Sequence, residues 1–178
     1  MSQLRISDLK FYLKNKSNNE LIKEIVELTK SFSVVKEYYR VTINPDLEVE
    51  IFEKYKKIIQ DEFFQYRSLE KIKYSNIRKA ISDFRKISKN SNLIAELIIS
   101  YPEIGVEFML EYKDLDYRLY NNILRAYINA LDYIFKNGQE DKCRDRMYHI
   151  RENVMVVDRD FGDKINEVYY EYFSNSVC

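Results

Sequence analysis

Apolar residues recur at three- and four-residue spacing along almost the whole chain, the period of helices that bury one face. Leu9, Tyr12 and Leu13 set a first short face, with Ser7 placed to cap it. Ser17-Asn-Asn-Glu20 reads as a capping box. It opens a helix carrying Leu21, Ile25, Leu28, Phe32 and Val35, expected to run to about Ile43. Asn44-Pro45 ends that helix and begins a third, with proline in the first helical position and Leu47, Ile51, Tyr55, Ile58, Ile59 and Phe63 inside. Residues 65–74 are the least periodic stretch and read as a basic loop. Ser75 is expected to cap a fourth helix holding Ile77, Ala80, Ile81, Phe84 and Ile87. Beyond a polar break at 88–91, a fifth carries Leu93, Leu97, Ile104, Phe108 and Met109. Pro102 within it is expected to kink it or split it near Ser100. Asp116 caps a sixth helix bearing Leu119, Ile123, Tyr127, Leu131 and Ile134, stopped by Asn137-Gly138. A seventh runs from about Gln139 to Val154. Val156 and Val157 read as a short extended link, and a last helix spans about Phe161 to Phe173.

Eight such segments joined by short loops predict an all-α fold: one helical domain over 1–178, a single compact bundle or a short irregular solenoid of about eight helices. The lack of a fixed-period repeat favours the bundle. Composition agrees, since three glycines and two prolines in 178 residues are too few for the turns of a sheet protein. The start, Met1-Ser-Gln-Leu-Arg, has no apolar stretch of the secretory kind, and no apolar run approaches a membrane span. Cys143 and Cys178 read as reduced thiols. The expected setting is therefore the cytoplasm, with no membrane partner, no metal site and no cofactor.

Charge changes the picture by its distribution. The chain has 29 Lys and Arg against 29 Asp and Glu. Residues 1–90 hold 19 basic and 13 acidic groups, whereas 91–178 hold 10 and 16. On the fourth helix Arg78, Arg85 and Lys89 share a face, with Lys79 and Lys86 beside it, a basic stripe. Such a stripe can hold phosphates, with Tyr66 and Tyr74 near enough to stack on bases. The competing expectation is internal. In a tight hairpin of the fourth and fifth helices, Arg85 falls level with Glu96 and Arg78 with Glu103, so that the stripe is consumed by ion pairs.

His149 is the only histidine, in the run Arg144-Asp-Arg-Met-Tyr-His149. This run resembles the Arg-polar-x-x-x-His motif of the HEPN helical ribonucleases and toxins. In that family, two copies of the motif meet across a dimer, and His and Arg promote attack of an RNA 2′-hydroxyl on its phosphate. The resemblance implies a metal-independent ribonuclease with Arg144 and His149 as its catalytic pair. The residue types suit the chemistry, because an imidazole titrates near neutrality and an arginine fork holds phosphate. Arg151 stands where some toxin members carry a tyrosine. Paired carboxylates occur at Glu103, Glu107 and Glu111, but no Glu-x-x-His element accompanies them. Asp158, Asp160 and Asp163 lack the closing glutamate of a calcium loop and read instead as a cap for the last helix.

A further resemblance covers most of the chain. It is carried by Leu9-x-x-Tyr12-Leu13-Lys14, Glu20-Leu21-Ile22-x-Glu24-Ile25-x-Glu27-Leu28 and Val35-Lys36-Glu37-Tyr38-Tyr39. Lys79-Ala80-Ile81-Ser82-Asp83-Phe84, Gly105-Val106-Glu107-Phe108 and Tyr169-Tyr170-Glu171-Tyr172-Phe173 continue it. These residues resemble an uncharacterised bacterial all-helical family of unknown function, which implies a bacterial helical domain and no particular activity. The first 30 residues also resemble a SAP-like helix-turn-helix on leucine spacing. Without a recognisable catalytic set, the leading expectation is a non-enzymatic adaptor or regulatory module that binds another protein through exposed tyrosines, among them Tyr38, Tyr39, Tyr169 and Tyr170. The alternatives are the HEPN-like ribonuclease and a non-catalytic nucleic-acid binder using the basic fourth helix. Oligomeric state is left open.

Overall fold

A computed structural model describes residues 4–65, 68–112 and 116–174. Among them are nine α-helices: α1 (Ile6–Lys14), α2 (Asn18–Ser31), α3 (Ser33–Ile43), α4 (Glu48–Phe64), α5 (Tyr74–Ile87), α6 (Ser91–Glu111), α7 (Tyr117–Lys136), α8 (Glu140–Val157) and α9 (Arg159–Ser174). Short 3-10 turns at Pro45–Leu47 and Leu69–Lys71 lead into α4 and α5. The fold is all-α, and one continuous apolar core joins α4 through α9.

The organising element is α6. Every residue from Leu97 to Pro102 is buried, the mark of a helix surrounded on all sides. Helices α4, α5, α7 and α8 pack around it, and α9 closes the layer against α7 and α8. Gly105 packs directly against Ile123 of α7. A Cβ added there would lie 2.0 Å from Ile123 Cδ1 and 3.2 Å from the Phe63 ring, so any larger residue would have to displace the buried Ile123 side chain. The helix continues through Pro102 without splitting. Its neighbours supply the support that an isolated helix lacks when proline removes a backbone donor.

Caps read from sequence are largely in place. Ser17 and Glu20 form the capping box, Asp116 Oδ1 accepts from Leu119 N at 2.7 Å, and Gly138 takes the left-handed conformation that ends α7. Asp158 Oδ1 accepts from Phe161 N at 2.8 Å, so the aspartates there do cap the last helix. Other boundaries differ from expectation. The long helix expected over 18–43 is two, broken at Phe32, whose extended backbone turns the chain. Ser7 caps nothing, since α1 already begins at Ile6. Ser75 does not cap α5 either. The Glu62 carboxylate of α4 reaches the start of α5 from across the loop, accepting from Lys73 N at 3.0 Å and Asn76 Nδ2 at 2.6 Å. Val156 and Val157 belong to α8, and Asp158 alone links it to α9.

The apolar face expected in the first 32 residues is not buried. Neither α1 nor α2 contains a buried residue, and Ile6, Phe11, Ile22, Val26 and Phe32 are exposed. Burial of apolar area is what stabilises a short helix in a protein. Hydrogen-exchange mass spectrometry is therefore expected to find α1 and α2 the least protected helices and α6 the most. Equal protection across the two regions would contradict this.

Two polar contacts tie helices together, and a third cluster lies within α5. Glu37 of α3, only 5% exposed, accepts from Tyr55 Oη at 2.6 Å and pairs with Lys54, pinning α3 to α4. Tyr127 Oη donates to the Met147 carbonyl at 3.0 Å, between α7 and α8. Asp83 is held between Lys79 (2.5 Å) and Lys86 (2.9 Å). Burial acts to raise the Asp83 carboxyl, but the two ammonium groups outweigh it and hold it below the usual carboxylate range. A carboxylate lowered in the folded state contributes stability above its unfolded pKa, and loses it as pH falls through the folded value. Wild type is thus expected to lose stability faster than Asp83→Asn as urea midpoints are followed downward from about pH 4. Parallel curves would rule the clamp out as a contributor.

Candidate anion-binding groove

Helices α5 and α7 lean on α6 from two sides and leave a groove between them. The α5 wall presents Arg78, Ile81 and Arg85, at helix positions i, i+3 and i+7. The α7 wall presents Arg118, Asn122, Arg125 and Asn129, whose spacings of four, three and four put them on one face. The floor is Ile98 and Tyr101 of α6 with Ala126 of α7. Two hollows, of about 460 and 540 Å³, adjoin and share Arg78 and Asn122. The larger extends to Lys71, Lys73 and Tyr74 at the α5 N-terminus.

Three of the four arginines are oriented by neighbours other than carboxylates. Arg78 Nη1 donates to Asn122 Oδ1 at 3.1 Å. The Arg85 guanidinium lies 5.4 Å from the Tyr133 ring centroid, and that of Arg118 lies 5.1 Å from the Tyr74 ring. Stacking on a ring holds a guanidinium in place while its N–H edge stays available. Among the described residues, no carboxylate lines the smaller hollow, and Glu70 is the only one lining the larger. Tyr101, 5% exposed, has Arg78 beside its hydroxyl oxygen, and its O–H donates to no acceptor. Burial, above all, raises its pKa, so the hydroxyl remains a proton donor.

The basic stripe therefore divides. Arg78 and Arg85 face the groove, whereas Lys79 and Lys86 engage Asp83. The expected pairing of α5 arginines with α6 glutamates does not occur. Glu96 and Glu103 both bind Arg146 of α8, Glu103 in a two-pronged contact of 2.7 and 2.5 Å. The reason is position: α8 packs on the acidic face of α6, and the α5 arginines look toward α7. Tyr74 is buried, and Arg118 covers its ring, so it offers no stacking face. Burial and then Asp116 push its hydroxyl up to about 12. Tyr66 lies outside the described residues.

The other sequence candidates lie elsewhere. His149 is exposed on α8, and the Arg144 guanidinium stacks 4.8 Å from the Phe173 ring of α9. No hydrogen bond or ring contact joins Arg144 to His149. Among the four tyrosines expected at a protein-binding surface, Tyr169 is a core residue and Tyr38 and Tyr39 are half-buried against each other. Tyr170 is exposed but accepts from Arg151 Nη1 at 3.1 Å. Arg151 fills its own cage, with the rings of Tyr148, Tyr169 and Tyr170 at 4.4, 5.3 and 5.4 Å. Among the described residues, no three His, Cys, Asp or Glu side chains converge as a metal site, and no helix is long and apolar enough to cross a membrane. Burial and the nearby Glu96 push the Cys143 thiol up, which makes it a poor nucleophile.

Sequence reasoning missed Arg118, Asn122, Arg125, Asn129 and Tyr101. The 4-3-4 spacing of the first four was available as a polar face on α7, but nothing local showed that it would oppose Arg78 and Arg85. No curated protein and no solved structure matches the chain. A family model does match, over residues 2–173, and the chain belongs to that family, DUF6155, a family of unknown function.

Proposed function

We propose that the protein is a non-catalytic binding module that holds a phosphate-bearing anion in the groove between α5 and α7. The observation that carries this reading is the convergence of Arg78, Arg85, Arg118 and Arg125 on one groove, the first three oriented by two rings and an asparagine instead of by carboxylates. Guanidinium forks match phosphate oxygens in pairs. The lining includes no histidine, no cysteine and no paired carboxylates to move a proton or attack a bond, which favours binding over turnover. The chain is neutral overall, so attraction is local and selects a ligand that enters the groove. Titration of the full chain with inorganic pyrophosphate tests the reading. Binding is expected to weaken as salt rises and to be lost in Arg85→Gln/Arg125→Gln. Binding unchanged in that variant would place the anion elsewhere and end the proposal.

A second reading, a protein-interaction module, draws on one observation: α1 and α2 bury none of their side chains and expose Ile22, Val26 and Phe32. A second copy of the chain is the first occupant to test. Self-association in sedimentation velocity, abolished by Ile22→Glu/Val26→Glu at unchanged helix content, supports it. A monomer at all concentrations removes that occupant.

A further inference from the structure

Within that proposed function, we infer that the smaller hollow is built for a terminal phosphate, a phosphomonoester dianion as opposed to an internal phosphodiester, and that the Tyr101 hydroxyl helps to select it. Three arginines, Arg78, Arg85 and Arg125, line this hollow with no carboxylate among them. Tyr101 rises from α6 into its floor, 5% exposed, with Arg78 beside its hydroxyl oxygen and no acceptor for its O–H. Buried hydroxyls in native proteins are almost always bonded. Its neighbour Ser100 obeys that rule by donating to the Glu96 carbonyl at 2.8 Å, so the geometry of α6 does not itself force an orphan. An unsatisfied donor at the bottom of a cationic hollow is instead the feature that an incoming acceptor completes.

Charge and valence select the acceptor. A phosphomonoester carries about −1.5 to −2 charge at pH 7 and three acceptor oxygens. A diester has one negative charge and two free oxygens. Three guanidinium forks and a hydroxyl supply more positive charge and more donors than a diester can use. Arg78 is the cation that acts most on the Tyr101 hydroxyl, and its tie to Asn122 is a single hydrogen bond. A phosphate that draws Arg78 from Asn122 uncovers the hydroxyl and takes its proton as a hydrogen bond. Ile81, Ile98 and Ala126 then form an apolar bed for whatever the phosphate is attached to, and a volume of about 460 Å³ suits a small ligand. A free phosphorylated metabolite and the 5′-phosphorylated end of a strand share this chemistry.

The test is an NMR titration of the full chain with methyl phosphate and with dimethyl phosphate, in wild type, Tyr101→Phe and Arg85→Gln/Arg125→Gln. Methyl phosphate is expected to bind at least about tenfold more tightly, and Tyr101→Phe to weaken it by about five- to tenfold, the size of one charge-assisted hydrogen bond. The melting temperature of unliganded Tyr101→Phe should hold or rise, because the substitution removes a buried O–H that has no acceptor. A purely structural tyrosine would not move binding and stability in opposite directions. Equal binding of the two esters, or wild-type binding by Tyr101→Phe, overturns the inference. If both esters bind equally and both are lost in the arginine variant, the groove still binds anions and only the terminal-phosphate inference falls. If neither ester nor pyrophosphate binds, the proposed function falls with it. A 5′-phosphorylated tetranucleotide binding more tightly than adenosine 5′-monophosphate assigns the source to a strand end, and the reverse order to a small molecule.

Discussion

Phe63→Ala is expected to destabilise the protein by about 3–5 kcal/mol, the range for truncating a fully buried phenylalanine. Phe63 is 0% exposed at the end of α4. Its ring meets Phe108 at 5.7 Å and Tyr101 at 6.1 Å between centroids, and its edge reaches the Cα side of Gly105 where α6 and α7 come together. Collapse into the vacated space is blocked by helices on several sides, which keeps the cavity cost high. At about 2–4 °C per kcal/mol for a chain of this size, the melting temperature should fall by roughly 10 °C. Urea unfolding checks this directly. A loss below about 1 kcal/mol would mean that the α4–α6 seam is looser than described. Phe63→Leu, which keeps most of the volume, should cost less than half as much. Because Phe63 supports Tyr101 from behind, Phe63→Ala should also blunt anion binding, although no part of it lines the groove.

The second large effect is expected at Arg146. Among the described residues it is the sole cation bonded to Glu103, and it also binds Glu96 and reaches Ser100 Oγ at 3.4 Å. Removing one partner of a buried ion pair leaves the other charged and poorly solvated, at about 3–5 kcal/mol when burial is complete. Here the Glu103 side chain keeps 29% of its exposure and that of Glu96 keeps 50%. About 2–3 kcal/mol is therefore expected for Arg146→Ala, most of it at Glu103. One turn further along stands Glu107, whose carboxyl is raised by burial first and by Glu103 second. A carboxyl raised in the folded state binds its proton more readily there than in the unfolded chain, so its contribution to stability falls as pH rises through that window. Without Arg146 the repulsion between Glu103 and Glu107 is less well compensated, with Lys56 left to oppose it. The deficit of Arg146→Ala should therefore shrink as pH falls from 7 toward 5, opposite in sign to the loss expected from the Asp83 clamp. A deficit independent of pH would show that Arg146 acts through packing alone. Adding Glu103→Gln should restore part of the loss, because it removes the orphaned charge.

Much of this molecule was legible in its sequence because the signals are local. A cap needs a side chain within three residues of the amides it serves, so Ser17, Asp116 and the Asn137-Gly138 stop could be read in place. Helical period marks a buried face wherever one side of a helix meets the core, as on α4, α5 and α7. The all-α class follows from these alone. What the period cannot show is whether a face finds a partner. Leu21, Ile25, Leu28 and Phe32 have the same spacing as the core helices, yet α2 buries none of its residues. Long-range contacts are equally silent, and Glu62 of α4 reaches Lys73 N and Asn76 at the start of α5, where the sequence pointed to Ser75. Ion pairing is the clearest case. Charge pattern placed Glu96 and Glu103 opposite Arg78 and Arg85, but the pairing depends on which helix lies against which side of α6. Tertiary packing gave those glutamates to Arg146 and released the two arginines to face Arg118 and Arg125 of α7. The sequence by itself determined the helical class and the helix ends capped by neighbouring side chains, because backbone hydrogen bonding is short-ranged. Only the tertiary structure decided which charges are spent on one another and which remain for a ligand, because that depends on contacts between residues more than 40 positions apart.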